Sequence, residues 1–581
     1  MRKTKILATL GPTCNDIEIM KTMIKTGMDA ARFNFSHGTH ESLEETINKL
    51  KAAREELDLP IPMVLDTKGP EIRIGFFKEG KVFLKQNAIF TFTTDDVEGD
   101  DERVSVTYAD LPNDMKIGER ILLDDGLIEL VVESITDTDV TCRVVNEGFI
   151  SSRKGVNVPD VHVNLPSLTN QDISDLKFGI KMGFDFVAAS FIRSANDILN
   201  IREILESNGG GHIKIIAKIE SRDGVDNIDS ILEVADGIMV ARGDLGIEIP
   251  PEEVPMVQKA LIRRANLLGK LVITATQMLE SMTKNPRPTR AEANDVANAI
   301  FEGTDIVMLS GETANGQYPI DSISMMARIA RRAEGSPEYF NEIVHSRKKN
   351  ITNAIGYAAC ATAKDINAAC IVPVTDSGFA ANMVARSRPE APILALTTSD
   401  KVCRQLNLTW GCKPMLVENI SGNDEVFEVV EEMALRSGLA KTGDAVVALA
   451  GVPIGIAATT NTLKVRIVGN VLARGHVKNP KGKVQGIARV FKVLEETDHF
   501  FESGDILIAT TTSDDMMEYI KKAGAMVVGS WEQVDTRHAE TVAKALDIPL
   551  LIAKEKVVDL IGEGIAITVD CSQGFVFNGY R

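Results

Sequence analysis

LVITATQM, at residues 271–278, is an apolar run that ends in polar side chains, and seven other segments of the chain share this pattern. Those segments are KTKILATLG at 3–11, DAARFNFSHG at 29–38, PMVLDTKG at 62–69, FDFVAASF at 184–191, IKIIAKIE at 213–220, GIMVARGD at 237–244 and DIVMLSGE at 305–312. Near-continuous apolar runs of this length are typical of strands that are buried on both faces of a parallel sheet.

Helical patterns lie between most of these strands, and several carry start signals such as Asp16 and Thr289 followed by Glu292. The patterns cover residues 16–26, 41–56, 196–207, 254–268 and 290–302. Eight strands alternating with helices predict an α/β protein with a closed (β/α)8 barrel, and an open doubly wound sheet is the alternative. Polar residues at the strand ends favour the barrel, because active sites of that fold lie at the carboxyl ends of its strands.

The barrel is predicted to occupy residues 1–69 and 166–340. Residues 70–165 alternate over short strands, and Asp125-Gly126 between two apolar runs is a hairpin signature. This interval predicts an inserted small β-barrel domain that covers the barrel mouth as a lid. Residues 341–469 predict an open α/β effector and oligomerisation domain, and residues 470–581 an extra small, swivelling α/β domain.

The charge, the cysteine content and the apolar runs of the chain argue against several classes of binding partner. The formal charge is −18, from 64 Lys and Arg against 82 Asp and Glu, which argues against nucleic acid and anionic lipid. The seven cysteines form no C-x-x-C pair, so neither a disulfide framework nor a Cys-based zinc site is expected, and a reducing cytoplasm fits best. No apolar run reaches membrane-spanning length, so no membrane partner is expected.

Three residues at neighbouring strand ends suggest a metal-assisted site. Lys218 and Glu220 share one face of a strand, and Asp244 ends the next strand, about 4.8 Å away. Two carboxylates at that spacing suit Mg²⁺, and a lysine beside them suits developing negative charge on a phosphoryl group or an enolate oxygen. The alternative is a structural ion pair between Lys218 and one carboxylate. No P-loop or G-x-G-x-x-G sequence is present, so any nucleotide must be held another way.

A second polar group follows the second and third strands. It consists of six residues: Arg32, Asn34, Ser36, Asp66, Thr67 and Arg73. The two arginines are suited to grip a phosphate. The other four supply oxygen ligands with a single full charge, which suits a weakly charged hard cation better than zinc. A hydrogen-bond network that only makes the strand ends rigid is the alternative.

Six motifs resemble those of the pyruvate kinase family, in the family's order and on the expected strands. They are DAARFNFSHG, LDTKGPEIRIG, IIAKIES, MVARGDLGIEIP, ITATQMLESM and MLSGETANGQYP. The resemblance runs from Arg2 to about Gly469. The last domain is similar to the phosphohistidine (mobile) domain of phosphoenolpyruvate-utilising enzymes, which is appended to some bacterial members of the family.

The resemblance implies a phosphotransferase of the last step of glycolysis, which passes the phosphoryl group of phosphoenolpyruvate to ADP and gives ATP and pyruvate. It implies that Glu220 and Asp244 hold Mg²⁺ or Mn²⁺. Lys218 would stabilise the phosphoryl group in transit. The substrate carboxylate would lie on N–H groups near Gly243 and Asp244, with Thr276 beside it.

Other roles also come from the resemblance. Arg32 and Arg73 would contact the phosphate, and Ser310 would belong to a proton relay to the enolate, with water as the alternative proton donor. K⁺ is implied on four residues: Asn34, Ser36, Asp66 and Thr67. ADP is implied on five residues as the lid closes: Pro12, Asn34, His37, Arg73 and Lys154. His37 is alternatively an ordinary, partly buried histidine.

Glu71 bears on the monovalent cation. Family members that dispense with K⁺ carry Lys at this position. Glu71 would therefore leave the local negative charge unneutralised, and a monovalent cation should be needed.

In the α/β domain, TDSGFAANM resembles the family's effector phosphate loop, with Thr375, Ser377 and Gly378 as the contacts for a phosphorylated allosteric effector. Ala380 stands where the family usually has another hydroxyl, so a plain helix cap is the alternative. The resemblance also implies a homotetramer.

In the last domain Glu540 follows His538 by two residues and disfavours a phosphoryl anion, so a structural or regulatory role is expected there.

Two other functions remain open at this point. One is a metal-dependent pyruvate or phosphoenolpyruvate aldolase on the same barrel, against which the ATQML and LSGETA segments and the lid count. The other is a non-catalytic regulatory protein that binds metabolites. The presence of Lys218, Glu220 and Asp244 counts against that second function.

Overall fold

The structure is a computed structural model. It describes residues 1–36, 38–159, 161, 163–336, 339, 351–418, 425–451, 460–469, 471–492, 500–529, 535–553 and 555–580. The chain divides into two compact units, of which the first contains Met1–Tyr357 with Thr375–Glu418 and the second contains Ala358–Val374 with Asn419–Arg581.

Eight parallel strands close into a barrel in the first unit, so the predicted (β/α)8 barrel is confirmed. Numbered one to eight along the chain, the barrel strands are Lys5–Thr9, Ala30–Asn34, Met63–Asp66, Phe186–Ala189, Lys214–Ile219, Gly237–Ala241, Leu271–Ala275 and Ile306–Leu309. Strand eight pairs with strand one through the register Lys5 to Ile306, which closes the barrel. Nearly every residue of these strands is buried, as the apolar runs predict.

Helices surround the barrel strands. They are Ile17–Thr26, His40–Leu57, Asn170–Met182, Ala195–Ser207, Arg222–Asp226, Ile228–Val234, Arg242–Glu248, Val254–Leu268, Arg290–Phe301, Gly311–Ala314 and Pro319–Glu334, with short 3₁₀ turns at Pro12–Cys14 and Glu280–Thr283. The predicted start signals work as expected. Asp16 accepts the N–H groups of Glu18 and Ile19, and Thr289 and Glu292 form a reciprocal capping box.

The inserted domain is built from β-strands. A six-stranded sheet contains Ile89–Thr93, Arg103–Ser105, Arg120–Leu123, Ile128–Ile135, Asp139–Val144 and Val156–Asn157, and a two-stranded sheet pairs Lys81–Leu84 with Gly148–Ser151. One short helix, Leu111–Asp114, lies between them in the chain. The predicted hairpin is present, since Arg120–Leu123 pairs antiparallel with Ile128–Ile135 across a turn whose residues Asp125 and Gly126 have positive φ.

Gly69 marks the point where the chain leaves the barrel for this domain. Its φ is +72°, its N–H donates to Asp172 Oδ1 at 3.0 Å, and a β-carbon there would lie 2.9 Å from side-chain atoms of both Ser190 and Phe191. The hinge position therefore requires glycine both for its backbone conformation and for space.

The chain after the barrel has α/β structure, as predicted. In the first unit, strands Ile393–Thr397 and Cys412–Leu416 are parallel and are accompanied by helices Phe379–Arg386 and Asp400–Leu406. Helix Ile351–Asp365 precedes strand Cys370–Pro373. In the second unit, Cys370–Pro373 pairs in parallel with Ala445–Gly451, and Thr460–Ile467 runs antiparallel to Ala445–Gly451. Helix Glu425–Arg436 precedes the last two of these strands.

The C-terminal region closes its own seven-stranded sheet. The strands are Val471–Asn479, Lys483–Phe491, Ile506–Ala509, Ala525–Gly529, Leu550–Ala553, Ala566–Asp570 and Phe575–Asn578, and the helical segments are Asp514–Met516, Met517–Ile520, Arg537–Leu546 and Val557–Leu560. All seven cysteines of the chain are buried, and each is a thiol rather than half of a disulfide. In the described part of the chain, no helix combines the length and the apolar character that crossing a membrane would need.

Phe184 is a test of the barrel core. It is fully buried, and its ring meets Phe33 at 5.4 Å and Phe35 at 5.8 Å, both edge to face. We expect Phe184→Ala to lower the free energy of unfolding of the barrel by about 3–5 kcal/mol, because it leaves a cavity between those rings. Urea unfolding followed by circular dichroism measures the change. Phe301→Ala, at a ring that is 47% exposed, is the control and should shift the midpoint little.

Candidate functional site

A cavity of about 900 Å³ opens at the carboxyl ends of the barrel strands. Nine of the residues predicted to form the site line it: Pro12, Arg32, Asn34, Asp66, Lys218, Glu220, Asp244, Thr276 and Ser310. They come from distant parts of the sequence and meet because parallel barrel strands end at one face.

Lys218 lies at the centre of this cavity wall, on strand five. Its Nζ is 3.1 Å from Asp66 Oδ1 and 3.0 Å from Glu220 Oε1, and it donates to Ser190 Oγ at 2.6 Å. Burial alone would lower the pKa of this ammonium group, but the carboxylates of Asp66 and Glu220 outweigh burial and hold the pKa above its ordinary value. Lys218 is therefore a fixed positive charge at neutral pH.

Asp66 also holds Arg32. Arg32 Nε lies 2.6 Å from Asp66 Oδ2, and Arg32 Nη1 donates to Thr9 Oγ1 at 3.0 Å. Burial would raise the pKa of Asp66, but Arg32 and Lys218 together hold it below its usual range. The carboxylate therefore stays ionised and aligns two cations that face the cavity.

Glu220 and Asp244 are two buried carboxylates on neighbouring strand ends. Burial raises the pKa of Glu220 to about 7, with Asp244 adding to the effect and Lys218 opposing it. Burial also raises the pKa of Asp244, and Asp125 and Glu71 contribute. Burial is the main cause of both shifts, and the neighbouring carboxylates add to it. Two buried carboxylates on adjacent strand ends are oxygen ligands of the kind that a divalent cation takes. No group of three or more His, Cys, Asp or Glu side chains among the described residues forms a metal site, so other ligands would be substrate or water oxygens.

Thr276 follows strand seven in a strained conformation. Its φ is +64°, which is unusual for a β-branched residue, and Gln277 follows at +53°. Three hydrogen bonds hold the turn. Thr276 Oγ1 accepts the Gly243 N–H at 2.8 Å, and Arg242 donates through Nη2 to Thr276 O at 2.6 Å and through Nε to Ala275 O at 3.2 Å. The turn is thus tied to the first turn of helix Arg242–Glu248, which carries Asp244.

Arg242 is itself held in place. Its Nη1 bonds to both carboxylate oxygens of Asp295, at 2.8 and 2.7 Å. This bifurcated contact anchors one nitrogen of the guanidinium, while Nη2 and Nε bond to the carbonyls of Thr276 and Ala275. Arg242 is therefore a positioning residue for Thr276 and Gly243.

Ser310 follows strand eight. Its Oγ is buried and has no hydrogen-bond partner within the part of the chain that the structure describes. Its N–H donates to Glu312 Oε2 at 2.7 Å, while Glu312 Oε1 accepts the Leu279 N–H at 3.0 Å. Glu312 therefore joins the loops after strands seven and eight, and the Ser310 hydroxyl is left to serve a bound molecule.

Other predicted residues do not line the cavity. Ser36 is exposed, and its N–H donates to Asn34 Oδ1 at 3.1 Å. Thr67 is buried, and its Oγ1 accepts the Ser190 N–H at 3.1 Å. Lys154 pairs with Asp124 of the lid at 2.8 Å. His37, predicted to contact the nucleotide, lies outside the described residues.

Arg73 corrects one expectation. Its Nη2 lies 2.7 Å from Glu71 Oε2, and its Nη1 donates to Arg153 O at 2.7 Å. The Glu71 charge is therefore compensated by Arg73, and the expectation that it stands unneutralised was wrong. Arg73, two residues after Glu71, supplies the compensating positive charge. The sequence motif alone does not show that these two side chains pair.

The predicted effector loop has its N–H groups satisfied internally. Thr375 Oγ1 accepts the Gly378 N–H at 3.0 Å, and Ser377 Oγ accepts the Phe379 N–H at 3.4 Å.

In the C-terminal region, His538 contacts Thr512 Oγ1 through Nδ1 at 2.8 Å and Asp514 Oδ1 through Nε2 at 3.2 Å.

Sequence reasoning missed four residues of the site: Ser190, Phe191, Arg242 and Glu312. Ser190 positions Lys218, and the Phe191 N–H donates to Glu220 Oε2 at 2.6 Å from a backbone with φ +55°. Ser190 and Phe191 follow strand four at its carboxyl end. Because the active sites of this fold lie at the carboxyl ends of the strands, that position could have identified both residues.

Residues 1–323 match the family model described as pyruvate kinase, barrel domain, and residues 353–466 match pyruvate kinase, alpha/beta domain. The chain belongs to the pyruvate kinase family. Residues 501–574 also match the family model described as PEP-utilising enzyme, mobile domain.

Similar pyruvate kinases come from several bacteria. The chain is 46% identical to the pyruvate kinase of Geobacillus stearothermophilus, 44% to that of Bacillus licheniformis and 42% to that of Staphylococcus aureus, in each case over 100% of this chain and 99% of the relative. A crystal structure of a pyruvate kinase from Cryptosporidium parvum matches with a TM-score of 0.77 and 39% identity, covering 80% of this chain and 96% of that one. The protein is therefore an enzyme, a kinase of the pyruvate kinase family.

Arg242 gives a test of how the site is held. We expect Arg242→Met to lower kcat by about 10²-fold. Loss of its hydrogen bonds lets the Thr276 turn move from the position that they fix, and a small displacement of a site residue has a large effect on rate. Asp295→Asn should cause a smaller loss in the same direction. Steady-state assay of pyruvate formation measures both. Arg264→Met, which removes an exposed pair with Asp229, is the matched control, and an equal loss there would contradict the positioning role.

Proposed function

We propose that the protein transfers the phosphoryl group of phosphoenolpyruvate to ADP, giving ATP and pyruvate in the last step of glycolysis, with Mg²⁺ and K⁺. The observation that carries the proposal is the convergence of Lys218 and Arg32 with the carboxylates of Glu220 and Asp244 around one cavity. Two fixed cations and a divalent metal site suit charge that develops on a phosphoryl group.

Glu220 and Asp244 would hold Mg²⁺, or Mn²⁺ in its place. When bound, the ion would neutralise charge on the phosphoryl and enolate oxygens. The raised pKa values of both carboxylates support this assignment, because burial makes their ionised forms unfavourable without a cation nearby. The Phe191 N–H and Lys218 orient Glu220 toward the cavity.

Phosphoenolpyruvate would lie between the two cations and the Thr276 turn. Lys218 and Arg32 would contact the phosphoryl group. The substrate carboxylate would lie against the backbone at Gly243 and Asp244, where a helix begins, with the Thr276 hydroxyl beside it. The Ser310 hydroxyl, which has no partner among the described residues, would belong to the proton relay that ends at the enolate.

ADP would bind between the barrel and the lid. Pro12 and Asn34 line the cavity, and Arg73 and Lys154 belong to the lid connection and the lid. Both lid cations are paired with carboxylates in this structure, so we propose that the nucleotide phosphates replace Glu71 and Asp124 as their partners when the lid closes. His37 completes the proposed set.

K⁺ would bind beside the phosphoryl group, on oxygens of Asn34, Ser36, Asp66 and Thr67. Asn34 and Asp66 are opposite each other in the strand register. Asp66 already compensates two cations, so the remaining oxygens are suited to a monovalent rather than a divalent ion.

Three further properties are proposed from the family resemblance. The enzyme would be a cytoplasmic homotetramer. A phosphorylated allosteric effector would contact Thr375, Ser377 and Gly378. The C-terminal region would have a structural or regulatory role rather than a phosphotransfer role at His538.

Lys218 is the first test. We expect Lys218→Met to lower kcat by about 10²–10³-fold with little change in KM, because its contact strengthens as the phosphoryl group moves. The matched control is Lys214→Met, on the same strand but at its other end and paired with Asp236. A Lys218→Met variant with a raised KM and an intact kcat would rule out the proposed role.

The carboxylate pair is the second test. We expect Glu220→Gln or Asp244→Asn to abolish turnover at ordinary Mg²⁺ and to remove the thermal stabilisation that MgCl₂ gives the wild type. Initial rates against free Mg²⁺ and thermal unfolding with and without MgCl₂ measure both effects. Glu253→Gln, an exposed carboxylate paired with Arg222, is the control. Near-normal turnover in either site variant would refute the metal assignment.

The monovalent cation is the third test. We expect strong activation of the wild type by K⁺ and poor activation by Na⁺, at constant ionic strength set by a tetraalkylammonium salt. Glu71→Lys should be much less sensitive to K⁺, because it places an ammonium group near the proposed ion. Glu79→Lys makes the same charge change at an exposed position and should keep the K⁺ response. A flat wild-type response would leave the oxygens as a hydrogen-bond network only.

A further inference from the structure

Both connections between the barrel and the inserted lid reach one loop, which follows strand four. The outgoing connection contains Gly69, where a β-carbon would lie 2.9 Å from side-chain atoms of Ser190 and Phe191. The returning connection contains residues 163–165, which are bonded to Arg193. The loop that runs from Ser190 to Arg193 therefore contacts both ends of the lid, and we call it the hinge loop.

Arg193 holds the returning connection through its backbone. Nη1 donates to the carbonyl of Val163 at 2.7 Å, and Nη2 donates to the carbonyl of Leu165 at 2.6 Å. Two carbonyls that are two residues apart thus point to the same side of the segment, as they do in an extended chain. The planar guanidinium reaches both at once, whereas the single nitrogen of a lysine could not hold both in this geometry.

The opposite side of the same segment is held by the lid. The Asn164 N–H lies 3.0 Å from Tyr108 Oη and 3.2 Å from Asp114 Oδ2, and the Asn164 side-chain amide donates to Asp114 Oδ1 at 3.2 Å. Burial and Asp114 raise the pKa of Tyr108 to about 12, so its hydroxyl stays protonated and donates to Asp114. Asn164 is therefore bonded to the lid, while the residues on either side of it are bonded to the barrel.

The backbone of Arg193 is itself fixed on the barrel. Its N–H donates to Asp197 Oδ2 at 3.0 Å, and its carbonyl accepts the side-chain amide of Asn227 at 2.9 Å. Asp197 lies in the first turn of helix Ala195–Ser207, which is one of the helices around the barrel. The hydrogen bonds of Arg193 therefore anchor residues 163–165 to the barrel.

We propose that Arg193 is a positioning residue that fixes the pivot about which the lid moves. The lid has its own apolar core, with fully buried residues such as Phe90 and Phe92, so it can move as one body above a fixed segment. A fixed pivot brings the lid cations Arg73 and Lys154 to a defined place each time the lid closes. The role of Arg193 in the reaction rests on the proposed function, in which ADP lies between the barrel and the lid.

Hydrogen exchange of the full-length protein without substrates tests the pivot itself. In Arg193→Met we expect the peptide that covers residues 161–168 to exchange about tenfold faster than in the wild type, because two restraining hydrogen bonds are lost. Arg193→Lys should be intermediate. The lid sheet at residues 120–144 should exchange as in the wild type, because its core is unchanged. Arg54→Met is the matched control, since Arg54 Nη1 also donates to a carbonyl, that of Ile61 before strand three.

Steady-state kinetics tests the consequence for the reaction. We expect Arg193→Met to raise KM for ADP about tenfold and to change KM for phosphoenolpyruvate less than about twofold, because the lid contributes to the nucleotide site and the barrel holds the other substrate. Arg193→Lys should recover part of the affinity for ADP. A smaller folded fraction would instead lower the apparent kcat at unchanged KM values. Arg54→Met should keep all three constants.

Three results would overturn the proposal. One is exchange at residues 161–168 that is equal in Arg193→Met and the wild type. Another is equally faster exchange throughout residues 120–144, which would make Arg193 a support of the lid fold. The third is faster exchange at the pivot with an unchanged KM for ADP.

Arg193→Lys keeps the test decisive if Arg193→Met does not fold, because wild-type exchange and wild-type KM for ADP in Arg193→Lys would also overturn the proposal. Failure of the proposed function is a separate result. A wild type that forms no ATP from phosphoenolpyruvate and ADP would refute that function, while the exchange measurement would still decide whether Arg193 holds residues 163–165.

Discussion

The ionic contact between Lys218 and Asp66 is the interaction on which the site depends. It joins strand five to strand three, and through Arg32 it reaches strand two. The floor of the cavity then holds two cations, Lys218 and Arg32, and three carboxylates, Asp66, Glu220 and Asp244. This set has one surplus negative charge, which repels an anionic substrate. The proposed divalent ion would reverse the sign, so binding of the metal would favour binding of the substrate.

The loops after strands four, six, seven and eight hold this charge set in place through backbone groups. Phe191 and Thr276 both adopt positive φ, and each is part of a hydrogen bond that orients a polar side chain of the site. Such conformations are unfavourable in isolation and persist because packing and hydrogen bonds determine them. Arg242 supplies further bonds to the carbonyls of Thr276 and Ala275, and Glu312 accepts the N–H groups of Ser310 and Leu279. Precision at the site thus depends on residues whose chemistry is not used in the reaction.

Much of the barrel and the site can be predicted from the sequence, because its signals are local. Apolar runs specify the strands, and Thr289 with Glu292 specifies a helix start. Parallel strands bring their ends together, so the sequence is sufficient to place Lys218, Glu220 and Asp244 near one another. Ser190 and Arg242 were missed because their roles arise from which backbone or side-chain groups they meet. The pairing of Glu71 with Arg73 was not predicted for the same reason. A sequence motif specifies residue types, whereas the side-chain contacts of the folded chain decide which acidic and basic groups form ion pairs.

Gly69 has a consequence for how this enzyme family can vary. Its missing side chain leaves room for Ser190 and Phe191, the two residues that support Lys218 and Glu220. The lid can therefore accumulate changes, or be exchanged for the lid of a relative, only downstream of this glycine. A graft that carries another residue into position 69 would displace Ser190 and Phe191, the supports of Lys218 and Glu220, so the boundary of an exchangeable lid lies after this glycine.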